Sequence, residues 1–380
     1  MTRMIPGVLL TLATLAAAPF GARAAQFEHV HYHGVGRGLK PAEVVTAHLT
    51  NSGNLDLVIT DSLSGKVSIL LGNGDGTFQK PITFPVPEPG PVAVGDFNGD
   101  GIQDLALAEG NGTGDGTVDI FLGDGTGHFS LCDSHSVGIA PHGIAVADLN
   151  GGGHLDVAVT NLGFEGDGPS MMTFFGDGRG NLKNRITYRM PEEEPDGIAA
   201  GDLNGDGHPD LVVATAQGGS VAVFMNDGTG RFGAPTYYSL AGEPLQVTIA
   251  DLRNDGREDL VVADGVYAMD VWLNNGDGTF GSPSQYTPKF LDWEPPNACT
   301  VADFNLDGKL DVACAGPYSY AYWFRGKGDG TFTSGIEIRD GDPNNGGTFI
   351  ASGDFNNDGA PDLAIPIYDV PKVGILLNAK

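Results

Sequence analysis

DFNGDGIQDLALAEG, residues 96–110, decides how the whole chain is read. Its opening has the acid-x-Asn-x-Asp-Gly spacing of a calcium loop. A helix–loop–helix calcium site closes on a bidentate Glu at loop position 12. Position 12 here is Leu107, and in the further copies of the stretch it is Val159, Val213, Val262, Cys314 and Ile365. These are strand-core residues, so that reading fails. The acid sits at position 9 instead, and a short apolar run follows it.

The stretch returns as DLNGGGHLDVAV (148–159), DLNGDGHPDLVV (202–213), DLRNDGREDLVV (251–262), DFNLDGKLDVAC (303–314) and DFNNDGAPDLAI (354–365), with a worn copy, HLTNSGNLDLVI, from His48. Starts lie 48, 52, 54, 49, 52 and 51 residues apart. Each copy has an apolar run before the loop (VAVG, 92–95), a second after it (DLALA, 104–108) and a third (VDIFLG, 118–123). A glycine turn of the GNGDGTF type (72–78) and a fourth extended segment complete the unit. Four short strands per unit of about 50 residues mark a β-propeller blade. The expected fold is therefore all-β, a seven-bladed β-propeller of four-stranded antiparallel blades. The last copy stops after a third strand, VGILLNAK (373–380), while QFEHVHYHG (26–34) precedes the first copy. Residues near Phe27 to His33 are expected to complete the last blade and close the ring, removing two exposed sheet edges.

Composition agrees. Among 380 residues, 59 Gly and 24 Pro call for many turns, and 41 % hydrophobic residues supply a core. A net charge of −28 excludes the basic footprint of a nucleic-acid binder. Residues 1–24 read as a cleavable signal peptide, with Arg3, an apolar stretch from Val8 to Ala18 and an Ala22-Arg23-Ala24 cleavage site. The rest, 25–380, reads as one domain, exported to the periplasm or the exterior, with no membrane span and expected to be a monomer.

These residues resemble the FG-GAP/VCBS repeat family, which includes the propeller heads of integrin α-subunits and some fungal and bacterial lectins. The resemblance spans roughly residues 26–380 and rests on the repeated D-x-N-x-D-G-x-x-D-[LV] motif. It implies calcium in the hairpin between the first two strands of a blade. Carried over, complete ligand sets are Asp96, Asn98, Asp100 and Asp104; Asp202, Asn204, Asp206 and Asp210; Asp303, Asn305, Asp307 and Asp311; and Asp354, Asn356, Asp358 and Asp362. Two sets are depleted. Gly152 replaces an acid beside Asp148, Asn150 and Asp156, and Arg253 stands among Asp251, Asp255 and Asp259. The first copy keeps only Asp56. Asx-rich turns form hairpins without any metal, but three carboxylates crowded in one short loop repel one another unless a cation neutralises them. Affinity is expected at the extracellular end of the range, about 10⁻⁴–10⁻³ M, and the role is expected to be structural.

Cys299 and Cys314 flank the sixth loop and fall nearly opposite each other on antiparallel strands; they either bridge or pack as thiols. A proline stands seven residues before six of the loops: Pro41, Pro89, Pro141, Pro195, Pro244 and Pro296, with Gly347 in the seventh. The next position should ring the channel mouth, on the face opposite the loops, and it differs in every copy: Ala42, Gly90, His142, Asp196, Leu245, Asn297 and Thr348. Candidate ligand contacts are His142, Asp196, Trp293, Glu294 and Asn297, with Glu192–Glu194, Asn344 and Asn345 nearby. No catalytic motif appears. The function expected is a binding or scaffold module for a carbohydrate or protein ligand; the alternative is a polysaccharide-processing enzyme, such as a lyase, working at the channel mouth.

Overall fold

The computed structural model describes residues 27, 30–36, 41–61, 63–110, 114–163, 168–190, 194–265, 269–287, 296–316, 320–339, 349–367 and 370–378. Within them the chain forms 28 strands and no helix. The signal-peptide residues, Glu192, Glu193, Trp293, Glu294, Asn344, Asn345, Gly347 and Thr348 lie outside the described residues.

The strands form seven four-stranded antiparallel sheets. Blade 1 is β2 (Glu43–Ala47), β3 (Asp56–Asp61), β4 (Lys66–Leu70) and β5 (Ile82–Pro85). Blade 2 is β6 (Pro89–Gly95), β7 (Asp104–Glu109), β8 (Asp115–Gly123) and β9 (Phe129–Ile139), and blade 3 is β10 (Pro141–Ala147), β11 (Asp156–Asn161), β12 (Ser170–Gly176) and β13 (Leu182–Arg189). Blade 4 is β14 (Pro195–Gly201), β15 (Asp210–Thr215), β16 (Ser220–Phe224) and β17 (Thr236–Ser239). Blade 5 is β18 (Pro244–Ala250), β19 (Asp259–Asp264), β20 (Met269–Trp272) and β21 (Ser284–Tyr286). Blade 6 is β22 (Ala298–Ala302), β23 (Asp311–Gly316), β24 (Tyr320–Phe324) and β25 (Ile336–Arg339). Blade 7 takes β26 (Ala351–Gly353), β27 (Asp362–Ile367) and β28 (Lys372–Leu376) from the C-terminal end and β1 (His31–Gly34) from the N-terminal end.

That last pairing closes the ring as the sequence led us to expect. His31 faces Ile375 and Gly34 faces Lys372, with a further bridge between Phe27 and Asn378. The second strand of every blade is buried along its full length. A sheet covered on both faces has no solvent side, so these strands read as continuous apolar runs rather than alternating ones. Seven separate hydrophobic cores result, one per seam between neighbouring blades. The core between blades 1 and 7 joins Leu57 and Ile59 to Val373 and Ile375, so the closing seam is as apolar as the others. Cys299 and Cys314 face each other in the β22–β23 register and are disulfide-bonded.

The segments that follow the third strands tie blades 4, 5, 6 and 7 each to the blade before it. Asn226, Asn274 and Asn378, at the end of a third strand, donate to the carbonyls of Leu149, Leu203 and Phe304 in the preceding blade's hairpin. Tyr188, Tyr238 and Tyr286 on outer strands stack edge-on to Phe232, Phe280 and Phe332 of the next blade's turn, and each tyrosine hydroxyl accepts that phenylalanine's N–H.

Candidate functional site

Two regions carry the chemistry, at opposite ends of the inner strands. At one end lie the acidic hairpins. In blade 2, Gly95 pairs with Asp104, so residues 96–103 form the hairpin between β6 and β7. Gly99 and Gly101 take positive φ of 78° and 84° there, a region a Cβ would oppose. Asp96 accepts the N–H groups of Gly99, Asp100 and Gly101. Asn98 accepts the Asp100 N–H and donates to its carboxylate. Asp202, Asn204 and Asp206 repeat this network bond for bond. Asp354 and Asn356 hold the Asp358 N–H in blade 7, Asp303 holds those of Asp307 and Gly308 in blade 6, and Asp148 those of Gly152 and Gly153 in blade 3.

The acid at position 9 has a role that its repetition alone did not reveal. All seven are fully buried. Asp104 accepts the Phe97 N–H at the loop start and the Gly123 N–H at the end of the third strand, both at 2.9 Å. Asp156, Asp210 and Asp362 make the equivalent two bonds. Asp56 makes them too, to Leu49 and Gly72, in a loop with no other acid. Position 9 is therefore a backbone lock in its own right. Burial raises these carboxyls, to about 6 for Asp156, Asp210 and Asp311 and about 7 for Asp362, against the bonds that favour the ionised form.

The hairpins of blades 2, 4, 6 and 7 fit a hard cation in donor type, since every candidate group is an oxygen. Blade 6 adds a direct mark. Asn305 is only 7 % exposed, its amide donates to Asp311, and its Oδ1 has no partner. A buried acceptor left unpaired is costly, and a cation ligated there removes the cost. Among the described residues no three His, Cys, Asp or Glu side chains converge as they would around an ion. The acids are turned onto loop N–H groups, which a cation would have to displace. The residues of blade 5 do not fit, because Asp259 is bound by Arg253.

At the other end is a cavity of about 520 Å³ lined by residues from all seven blades, which places it on the ring axis. In blades 2 to 5 the inner strand opens with a β-bulge. Pro141 pairs with Asn161 and Gly143 with Thr160, leaving His142 unpaired; Asp196 and Leu245 are left over in the same way. A bulge re-aims the extra side chain, and here the released residues line the cavity. Gly90, His142, Asp196 and Leu245 from these bulges meet Ala42 and Asn297, which precede the regular inner strands of blades 1 and 6, around one mouth. The backbones also approach closely. A Cβ on Gly143 would lie 2.5 Å from the Asp196 carbonyl, which Thr160 holds with a 2.6 Å hydrogen bond.

His142 Nδ1 stands 3.4 Å from Asp196 Oδ1. The hydrogen bond to Asp196 raises the imidazole above its ordinary value, with burial opposing it and the charges of Asp196 and Glu194 adding to it. Glu43, also in the lining, was missed by sequence reasoning. Burial pushes its carboxyl up to about 8, only partly offset by the Val92 N–H it accepts, so near pH 7 it is a neutral O–H donor. Its signal in the sequence was an acid next to the ring position, where the repeat gives no other.

Fold and hairpins together define a seven-bladed propeller with acidic loops on one face and an asymmetric axial cavity on the other. The FG-GAP-like repeat pattern matches residues 48–107, 96–159, 202–262, 251–314 and 303–365, and the chain belongs to that family. Among solved structures the chain is similar to an Agrocybe aegerita lectin studied for its specific recognition of non-reducing terminal N-acetylglucosamine. Identity is 20 %, with 80 % of this chain and 81 % of that one covered, at a TM-score of 0.53. It is also similar to BBS1N, solved in complex with ARL6DN, at 14 % identity over 94 % and 98 % of the two chains and a TM-score of 0.62. These likenesses are of fold. No curated protein matches the chain in sequence.

Proposed function

We propose that the protein is an exported, calcium-stabilised binding module that takes a carbohydrate or protein ligand at the channel mouth. The carrying observation is the row of bulges at the inner-strand starts. The same backbone device is repeated in four adjacent blades, and each copy puts a different residue at the cavity, glycine in blade 2 and His142, Asp196 and Leu245 in blades 3 to 5. Scaffold positions repeat because the blade needs them, whereas a position that the scaffold turns into a cavity and then varies is free to serve a ligand. The volume falls within the range of small-molecule sites, and Leu245 and Ile198 beside His142, Asp196 and Glu43 give it the mixed lining such sites have. The similar Agrocybe aegerita lectin supports a sugar as one ligand class, and BBS1N in complex with ARL6DN supports a protein as the other. The hairpins, on the far face, hold calcium for stability.

The adjacent His142–Asp196 pair and the neutral Glu43 carboxyl also favour a second reading, acid–base chemistry on a polysaccharide. A glycan array probed with and without calcium tests the first reading. Binding should be lost in His142→Ala and Asp196→Ala while the fold, judged by melting, is kept. Binding that survives both substitutions would remove the cavity from consideration. Release of unsaturated oligosaccharides absorbing in the ultraviolet, abolished by the same substitutions, would establish the second.

A further inference from the structure

Blade 5 departs from the other loops at position 3, where Arg253 stands in the place of Asn98, Asn204, Asn305 and Asn356. Its guanidinium meets the Asp259 carboxylate two-pronged, Nε to one oxygen at 3.1 Å and Nη2 to the other at 2.6 Å. Nη2 also donates to the Asn274 carbonyl at 2.8 Å, and Nη1 lies 3.5 Å from Asp255. The side chain is 15 % exposed and Asp259 is fully buried. One guanidinium thus draws on the carboxylates of positions 5 and 9 and on the end of the third strand. The two carboxylates are among the groups a hairpin cation would draw together. The oxygen ligand of position 3 is gone, a fixed positive charge occupies the centre, and Asp255 is further taken by a short charge-assisted bond from Arg257. A divalent ion arriving there would face repulsion from a charge that cannot be shed, because an arginine stays protonated.

We propose that Arg253 is a tethered cation that replaces the metal in blade 5, pinning this hairpin without calcium and barring calcium from it. The neighbouring blade extends the same arc. Arg325 donates to Asp307 at 2.9 Å, and the Cys299–Cys314 disulfide ties β22 to β23. Among the described residues no arginine or lysine pairs with the loop acids of blades 2, 4 and 7. This arc of the ring is therefore held partly by its own side chains, while the complete hairpins of blades 2, 4 and 7 depend on calcium. The calcium half of this inference rests on the function proposed above; the arginine half does not.

The test uses the full chain, with bound calcium counted by equilibrium dialysis and melting followed in calcium and in chelator. Arg253→Asn restores the position-3 ligand and should bind one more calcium per chain than the wild type. It should melt below the wild type in chelator and recover in calcium. Arg253→Met keeps the stem without the charge and should melt about 3 °C or more below the wild type in both media. If the wild type binds calcium and Arg253→Asn gains none, the replacement is overturned. If the wild type binds no calcium, the calcium reading of the hairpins fails, and Arg253→Met still decides the rest. A lowered melt supports the arginine staple, and an unchanged one refutes it.

Discussion

Leu306 holds a backbone conformation that leucine resists. Loop position 4 is left-handed in blades 2 to 7, and it is glycine in blades 2 to 4 (Gly99, Gly151, Gly205). Leu306 takes it at φ 56° while 44 % exposed, so its packing offsets only part of the strain. A Cβ in this region costs about 1–2 kcal/mol, and the extra freedom of an unfolded glycine returns part of that. Leu306→Gly should therefore raise stability by about 0.5–1 kcal/mol in urea denaturation. Glu43 gives a residue-scale prediction in pH. Burial raises its carboxyl from 4.5 to about 8, so between those values the folded chain keeps a proton that the unfolded chain loses. Stability must then fall as pH rises from 4.5 toward 8 and level off above it. Glu43→Gln, which stays neutral, should melt above the wild type at pH 8.5 and match it at pH 4. A constant difference across that range would assign the effect to packing instead.

At the scale of the hairpin, the position-9 acid separates two roles that coincide elsewhere. Blade 1 has His48, Thr50 and Ser52 where the complete loops carry Asp, Asn and Asp, yet Asp56 binds the equivalent two N–H groups. Asp56→Asn turns an amide donor toward one of those N–H groups and leaves it unpaired and buried. The expected cost is about 1–3 kcal/mol. The loss should be equal in calcium and in chelator, and a loss confined to calcium would make Asp56 a ligand after all. The blade itself was legible in the sequence because its signals are local and recur: apolar runs, a glycine at loop position 6 and GDGTF turns. The lock was not, since its two N–H partners in blade 2, Phe97 and Gly123, belong to different turns and only the strand register brings them together. The bulge at Pro141–Gly143 was hidden for the same reason. His142 and Asp196 were singled out by their place in the repeat, but their approach to 3.4 Å depends on two adjacent blades tilting their bulges toward one seam.

Across the whole molecule, seven equivalent seams mean that stability rests on the ring being closed. Six seams join blades that are continuous in sequence, and the seventh is made by blade 7, three strands from one end of the chain completed by β1 from the other. The contacts of β1 are of the same kind as elsewhere. Phe27 stacks edge-on to Phe304, His33 meets Phe78, Tyr32 lies under the Lys372 ammonium, and Val30 joins the core between blades 6 and 7. Removing residues 27–34 takes away the partly buried Phe27 and Val30, worth about 2–5 kcal/mol together, and bares the β28 edge, whose N–H and C=O groups then seek another chain. The truncated protein should melt well below the full chain and elute as dimers or larger species in size-exclusion chromatography. Adding a peptide of sequence 26–34 in trans should restore part of both properties, because it supplies the missing strand without the connecting chain. A truncated protein that stays monomeric and melts like the full chain would mean that the six continuous seams hold the ring by themselves, and that β1 covers the last blade without fastening it.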